Sequence, residues 1–222
     1  MELEAYVFGI GKSSGFKKGG LIGTFRKFAK ENDFSFQEIA IRKEYLSGFG
    51  KENLKGEQQD LKVGKSMRKA TGRKDIVAVR VILDLMDKLK EEANGKRKVI
   101  FVVRSLKKKA EIDLFKDHFG QNFFSIRASK NEEQDKKDND ENETIHYDLE
   151  INGNHADYLT GLASFLAEKT KSGSKIDLIG IESRLAKIEI NEKLEKSDFN
   201  EKLAAFIHRL QDDVKAKRQQ NN

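Results

Sequence analysis

The stretch from Ser66 to Ser129 alternates between two hydrophobic periods, and this alternation limits the fold more than any other feature of the chain. Between 75 and 92, apolar residues recur at the three- and four-residue spacing of a buried helix face. Val99–Val103 then forms a continuous apolar run, typical of a strand buried on both faces of a parallel sheet. A second helical segment, Ala110–Phe119, precedes a second strand-like run at 122–128. Helix, strand, helix and strand in this order predict an α/β fold built from right-handed crossovers.

The remaining patterns predict one three-layer α/β domain over 1–222, with a mostly parallel sheet of about five strands and helices on both faces. Strands are expected near 5–10, 34–41, 98–104, 122–128 and 176–181. Helices are expected near 21–31, 61–70, 75–92, 110–119, 155–169 and 199–214, with a break at Gly72. The segment 130–144 has no apolar residue, so we expect a mobile acidic loop there, and we expect the tail 215–222 to fray.

The charge balance favours small anionic partners. Charged residues make up 36% of the chain, the net charge is +6 and the pI is about 9.2. A diffuse positive field of this kind attracts ligands such as nucleotides, and no pattern indicates nucleic acid. No apolar run approaches the ~20 residues of a membrane span, and no signal segment precedes the first strand. These features predict a cytoplasmic protein with no membrane partner and leave a homo-oligomer open.

The chain has no cysteine, proline or tryptophan. Without cysteine it has no disulfide, no thiolate nucleophile and no cysteine zinc site. Zinc-dependent nucleobase deamination is also excluded, because it requires a His-x-Glu segment and a Pro-Cys-x-x-Cys segment, and neither occurs. Average proline usage of roughly 5% would give about eleven prolines. Drift in an AT-rich genome and a redesigned sequence are both compatible with their absence.

Several segments resemble one known domain. They are 67–75 (MRKATGRKD), Val102–Lys107 (VVRSLK), the stretch from Glu111-Ile112 to His118-Phe119-Gly120, and Phe123-Phe124. Together they are similar to the N-terminal, P-loop kinase-like half of bacterial two-domain deoxycytidylate deaminases, including those used in phage defence. The likeness covers Val7 to about Ser129. It implies a P-loop NTPase or nucleotide-kinase fold, ATP or a dNTP with Mg²⁺ as ligand, and a role in antiphage defence. The family's RSLKHP segment here reads RSLKKK from Arg104, and we expect the deaminase half to be missing.

The segment Gly11–Gly20 lies where a phosphate-binding loop belongs, between the first strand and the first helix. Gly11-Lys12-Ser13 matches the end of the pattern G-x-x-x-x-G-K-S/T, although the first glycine of that pattern falls at Tyr6. Glycines let backbone N–H groups approach a phosphate, and the helix N-terminus adds positive potential. The sequence thus predicts phosphate contact by Gly11, Lys12, Ser13, Ser14 and Gly15. A flexible turn with solvated lysines is the alternative.

Four further residues are candidates for binding the nucleotide. By resemblance to nucleoside-monophosphate kinases, Arg68 and Arg73 would hold the acceptor phosphate, for which guanidinium groups are well suited. Arg104 and Ser105 follow a predicted central strand, and ligands of open α/β sheets bind beyond the carboxyl ends of strands. The alternative for Arg68 and Arg73 is a solvated position on a helix surface, and Arg104, after five buried apolar residues, must find a partner or water in any case.

Signs of efficient phosphoryl transfer are weak. A kinase lid carries arginines, but the acidic segment Asn131–Glu143 occupies that position, and no aspartate ends Val99–Val103 to hold magnesium. We therefore assign no catalytic residue and no metal ligand, and we interpret the histidines as surface or packing residues. The favoured function is a catalytically degenerate, deoxynucleotide-phosphate-binding domain without zinc. The alternatives are an active nucleoside-monophosphate kinase and a non-enzymatic structural or partner-binding module.

Overall fold

The computed structural model describes residues 2–14, 18–41, 57–95, 98–106, 108–129, 145–152, 155–189, 205 and 208–216. Its strands are β1 (Glu2–Ser14), β2 (Ser35–Ala40), β3 (Val99–Arg104), β4 (Phe123–Ser129), β5 (Leu149–Asn152) and β6 (Lys175–Asp177). Its helices are α1 (Lys18–Glu31), α2 (Glu57–Thr71), α3 (Ile76–Asn94), α4 (Lys109–Phe119), α5 (His155–Thr170) and α6 (Leu178–Ala186), with a further helix over 208–216.

Five of the strands form a parallel array in the order β2-β3-β1-β4-β5. The central strand β1 pairs with β3 from Ala5↔Val99 to Ile10↔Arg104, and with β4 from Val7↔Phe123 onward. The sixth strand, β6, is antiparallel and pairs only with the first residues of β1, at Glu2–Glu4. The fold is therefore α/β with a mostly parallel sheet, as predicted, with one more strand than expected.

Alternate residues of β1 point into two separate apolar cores. Leu3, Ala5 and Val7 belong to the core that includes α3, α4 and α6, whereas Tyr6, Phe8 and Ile10 belong to the core that includes α1 and α5. The same alternation runs through β3, where all residues from Val99 to Val103 are fully buried. Because both faces of the sheet are covered by helices, its central strands read as uninterrupted apolar runs.

One predicted strand differs from the structure, and one strand of the structure was not predicted. The run 176–181 was expected to be a strand, but only Lys175–Asp177 is extended, and α6 begins at Leu178. The Asp177 carboxylate accepts a hydrogen bond from the Gly180 N–H at 3.0 Å, and this N-terminal cap starts the helix. The short strand β5 was not predicted, because its four residues follow a polar segment and give too weak a pattern.

The helix predictions for the described residues are close to the structure, and the break between α2 and α3 falls at Gly72, whose φ is +67°. The segment predicted to be a mobile acidic loop, 130–144, lies outside the described residues. In the predicted tail, 215 and 216 are still helical and the rest lies outside the described residues. Among the described helices, none is long and apolar enough to cross a membrane.

Candidate functional site

The connections that leave β1 and β3 diverge at the carboxyl edge of the sheet. After β1 the chain enters α1 on one face, and after β3 it enters α4 on the opposite face. These two strands are hydrogen-bonded neighbours, so their ends flank a crevice of the kind in which open α/β sheets bind ligands. The carbonyl of Ile10 accepts hydrogen bonds from the N–H groups of Ser105 and Leu106, at 2.9 and 3.1 Å, which fixes one strand end against the other.

The residues predicted to form a phosphate loop begin as strand. Gly11–Ser14 continue β1, and after a register shift Ser13 and Ser14 pair with Ala128 and Ser129 of β4. Of the expected loop Gly11–Gly20, residues 11–14 are therefore strand, and residues 18–20 already belong to α1. The extension arises because β4 is long enough to pair with the end of β1. The side chains of Lys12, Ser13 and Ser14, and all of Gly15, lie outside the described residues.

Tyr147 covers the carboxyl end of β1. A Cβ on Gly11 would lie 2.8 Å from both Cε1 and the hydroxyl oxygen of Tyr147, so this position accepts only glycine while the ring stays in place. Gly9, two residues earlier, is equally restricted, because its Cβ would lie 2.6 Å from Leu106 Cδ1 and 2.7 Å from Phe123 Cζ. Both glycines are therefore explained by close packing rather than by a phosphate turn.

The N-terminus of α1 faces the same edge of the sheet. The first four N–H groups of a helix have no partner within the helix, and the helix dipole makes that end positive. The first turn contains no acidic residue, and it contains Gly19 and Gly20, which allow close approach of a ligand to the backbone. This end of the helix is therefore suited to an anion.

Arg104 has a partner inside the protein. Its guanidinium group donates to the carboxylate of Glu38 on β2, and Arg26 of α1 donates to the same carboxylate at 3.2 Å. Arg26 also lies over the ring of Phe36, 5.5 Å from its centroid. The cluster joins α1, β2 and β3 on one face of the sheet, so Arg104 contributes to holding α1 against the strands.

The other two predicted arginines also form ion pairs, in two different places. Arg68 contacts the buried carboxylate of Glu111 at 3.5 Å, near the start of α4. Arg73 donates two hydrogen bonds to Asp75, at 2.9 and 2.7 Å, and a third to the Glu189 carbonyl. None of these partners lies on β1 or β3. The described contacts therefore hold the ends of β1 and β3 together. They do not bring the three predicted arginines close to one another.

Three residues at or near this edge were not singled out from the sequence: Tyr147, Arg127 and Glu38. The guanidinium carbon of Arg127 on β4 lies 5.9 Å from the centroid of the Tyr147 ring. A Tyr three residues after the polar segment 130–144 carries no recognisable motif, and Glu38 is 66 residues from Arg104. The sequence indicates the position of Glu38 only through the alternation of β2, which places Glu38 on the same face of the strand as Phe36.

A cleft of about 240 Å³ lies at the opposite end of the sheet, between the end of α4 and the β6–α6 junction. Its lining includes His118, whose ring is buried, and whose Nδ1 lies 2.9 Å from the Leu114 carbonyl. Burial lowers the pKa of His118 below its ordinary value. The interpretation of His118 as a packing residue agrees with this environment, and His146 and His208 are exposed.

Within the described part of the chain, no group of three or more histidines and carboxylates could hold a metal ion. Comparison with protein-family models and with curated proteins gives no match. The likeness to the N-terminal half of deoxycytidylate deaminases, and the nucleotide site it implies, therefore stay predictions.

Proposed function

We propose that this protein binds the phosphate group of a nucleotide at the carboxyl edge of its sheet, beside the ends of β1 and β3. The observation that carries the proposal is the divergence of α1 and α4 from two neighbouring strands toward opposite faces. Such a divergence opens a crevice at strand ends, and in open α/β sheets this crevice is the usual ligand site. The positive net charge of +6 favours an anionic ligand.

We assign the N–H groups in the first turn of α1 as the donors for the phosphate. An anion there satisfies N–H groups that the helix itself leaves without acceptors, and the helix dipole adds to the attraction. Gly19 and Gly20 carry no side chain that would keep the ligand at a distance. The strained backbone of Ser105, with φ +74°, lies at the same edge and is typical of a ligand-contacting position.

Binding without phosphoryl transfer fits the described charges best. Transfer requires cations that stabilise the moving phosphoryl group. Arg104 and Arg68 are instead paired with Glu38 and Glu111, and Arg73 is paired with Asp75. The proposal assigns no protein ligand to Mg²⁺, which would be bound by the phosphates of the nucleotide and by water.

The same ion pairs favour a second candidate, a non-enzymatic module in which the three arginines only stabilise the fold. A nucleotide titration distinguishes the two candidates, because the non-enzymatic module would bind no nucleotide at the strand ends. An active nucleoside-monophosphate kinase would in addition form ADP from ATP and a dNMP in the presence of Mg²⁺, and the proposal expects no such turnover.

Calorimetric titration with ATP, the dNTPs and the dNMPs at moderate ionic strength tests the proposal. Gly20→Asp places a negative charge in the first turn of α1, and we expect it to weaken binding by at least about tenfold through repulsion of the phosphate. Gly23→Asp is the matched control, because it adds the same charge to the same helix one turn later, where a Cβ meets no atom within 4 Å. Equal effects of the two substitutions, or no nucleotide bound below millimolar concentration, would refute the proposal.

A further inference from the structure

Tyr147 is held over Gly11, near the end of the strand that leads to the proposed phosphate site. Its ring fills the space that a side chain at Gly11 would need, as the 2.8 Å approach to a Cβ there indicates. The ring also packs against the core on the α3–α4 face of the sheet, while part of its surface remains exposed. An aromatic ring therefore lies directly over the carboxyl end of the central strand.

The residue after Tyr147 fixes this position. The carboxylate of Asp148 accepts hydrogen bonds from both the N–H and the hydroxyl of the buried Ser125, each at 2.7 Å. The Asp148 N–H donates in return to the Ser125 carbonyl at 2.9 Å, and Lys116 lies 3.6 Å from the same carboxylate. Three hydrogen bonds to a fully buried residue keep the backbone next to Tyr147 in one place. The ring is thus ordered before any ligand arrives, which reduces the entropy lost on binding.

Arg127 lies over the Tyr147 ring and adds a second planar group to it. Its guanidinium carbon lies 5.9 Å from the Tyr147 centroid, within the range of a cation–π contact. Arg127 projects from β4, which borders β1 on the side opposite β3. Neighbouring strands are about 4.8 Å apart, so Tyr147 lies over β1 itself, beside the β1–β3 crevice, and Arg127 lies one strand farther away.

We propose that Tyr147 and Arg127 form a stacking platform for the nucleobase of the nucleotide whose phosphate binds at α1. The inference rests on the proposed function and extends it from the phosphate to the base. A tyrosine ring and a guanidinium plane both stack on the faces of flat heterocycles, and every nucleobase offers such a face. The platform therefore requires that a base be present but discriminates little between bases. Hydrogen bonds that read base edges are not part of it.

The wild-type protein tests this with AMP, CMP and ribose 5-phosphate, which share the phosphate but differ in the base. Calorimetry should show AMP and CMP binding at least about tenfold tighter than ribose 5-phosphate and differing from each other by only a few-fold. Equal affinity for all three ligands would overturn the platform and leave phosphate binding intact. Binding of none of the three would overturn both the platform and the proposed function.

Substitutions of aromatic residues test whether the base stacks on Tyr147. Tyr147→Leu should bring the affinity for AMP down to that for ribose 5-phosphate, whereas Tyr147→Phe keeps the ring and should lose less than about threefold. Phe34→Leu is the matched control, because Phe34 is also a half-buried ring beneath a cation, with Lys98 Nζ 5.6 Å from its centroid, but lies at the other end of the sheet. A loss in Phe34→Leu equal to that in Tyr147→Leu would contradict the assignment, as would unchanged AMP affinity in Tyr147→Leu. Circular dichroism shows whether each variant is folded.

Discussion

The N–H of Ser105 donates to the carbonyl of Ile10 across the ends of β3 and β1, at 2.9 Å, with the Ser105 backbone in the left-handed region at φ +74°. Residues with a side chain rarely occupy this region, because Cβ approaches the neighbouring carbonyl oxygen. The strain persists because the hydrogen bond, and a second one from Leu106 to the same carbonyl, hold the turn in place. The carboxyl edge thus stores conformational strain at the point where the two helices diverge.

Substitutions at Ser105 should change the free energy of unfolding in a fixed order. Ser105→Gly removes the strain and should leave stability unchanged or raise it by up to about 1 kcal/mol, since glycine adopts a positive φ freely. Ser105→Val should lower it by about 1–3 kcal/mol, because a β-branched residue tolerates this region least. Urea denaturation followed by circular dichroism measures both. If the valine variant were as stable as the glycine variant, Ser105 would not be strained.

Gly9→Ala should be strongly destabilising for its size. The added methyl group would lie 2.6 Å from Leu106 Cδ1 and 2.7 Å from Phe123 Cζ, in a fully packed core. We expect a loss of about 1–3 kcal/mol from overpacking. Gly161→Ala, in α5, is the control: its Cβ meets nothing within 4 Å, so it should raise helix stability by about 0.5–1 kcal/mol. A neutral Gly9→Ala would indicate that Leu106 and Phe123 can move aside.

The sequence predicts most of the fold because its buried strands carry strong local patterns. Val99–Val103 is apolar throughout, and the structure buries every residue of it. Local sequence patterns do not predict the elements whose length or position depends on tertiary contacts. β1 extends to Ser14 only because β4 lies alongside, and β5 is four residues long. The run at 176–181 was misread as a strand, although Asp177 three residues before Gly180 is a recognisable helix cap.

The candidate site is less predictable for the same reason. The chain places Arg104 at the end of β3, as the sequence indicates, but its partner Glu38 comes from another strand. Tyr147 reaches Gly11 from 136 positions away in the chain, through the hydrogen bonds between Asp148 and Ser125. Neither contact has a sequence motif, because both depend on the order of strands in the sheet.

Replacing Glu38 should expose the role of the Arg26–Glu38–Arg104 cluster. Glu38→Gln keeps the shape but removes the charge shared by two guanidinium groups, and its side chain is only 20% exposed. We expect a loss of about 1–2 kcal/mol in the free energy of unfolding. Glu31→Gln breaks the exposed Lys27–Glu31 pair and should change stability by less than about 0.5 kcal/mol. Equal effects in urea denaturation would mean that the cluster contributes no more than a surface ion pair.

His118 should make the protein less stable in mild acid. The charged groups near it are Arg184 of α6, Asp117 of α4 and Asp75 before α3, and burial is the largest cause of its lowered pKa. Because the folded state disfavours the protonated ring, the unfolded state binds the proton at a higher pH. The contribution of His118 to stability is therefore complete above the unfolded value of about 6.5 and is lost as the pH falls through the lower, folded pKa.

The variant His118→Leu tests this dependence directly. The leucine side chain keeps most of the buried volume but cannot bind a proton, so the decrease in stability between pH 7 and about pH 5 should be smaller than in the wild-type protein. His146→Leu is the control, since His146 is exposed and should leave the pH dependence unchanged. Urea denaturation across this pH range gives both slopes.

His118 has its Nδ1 beside the Leu114 carbonyl, and its Nε2 is buried without a partner among the described residues, so protonation would add a buried donor with no acceptor. Identical slopes for the wild-type protein and His118→Leu would show that the ring gains access to water when it is protonated.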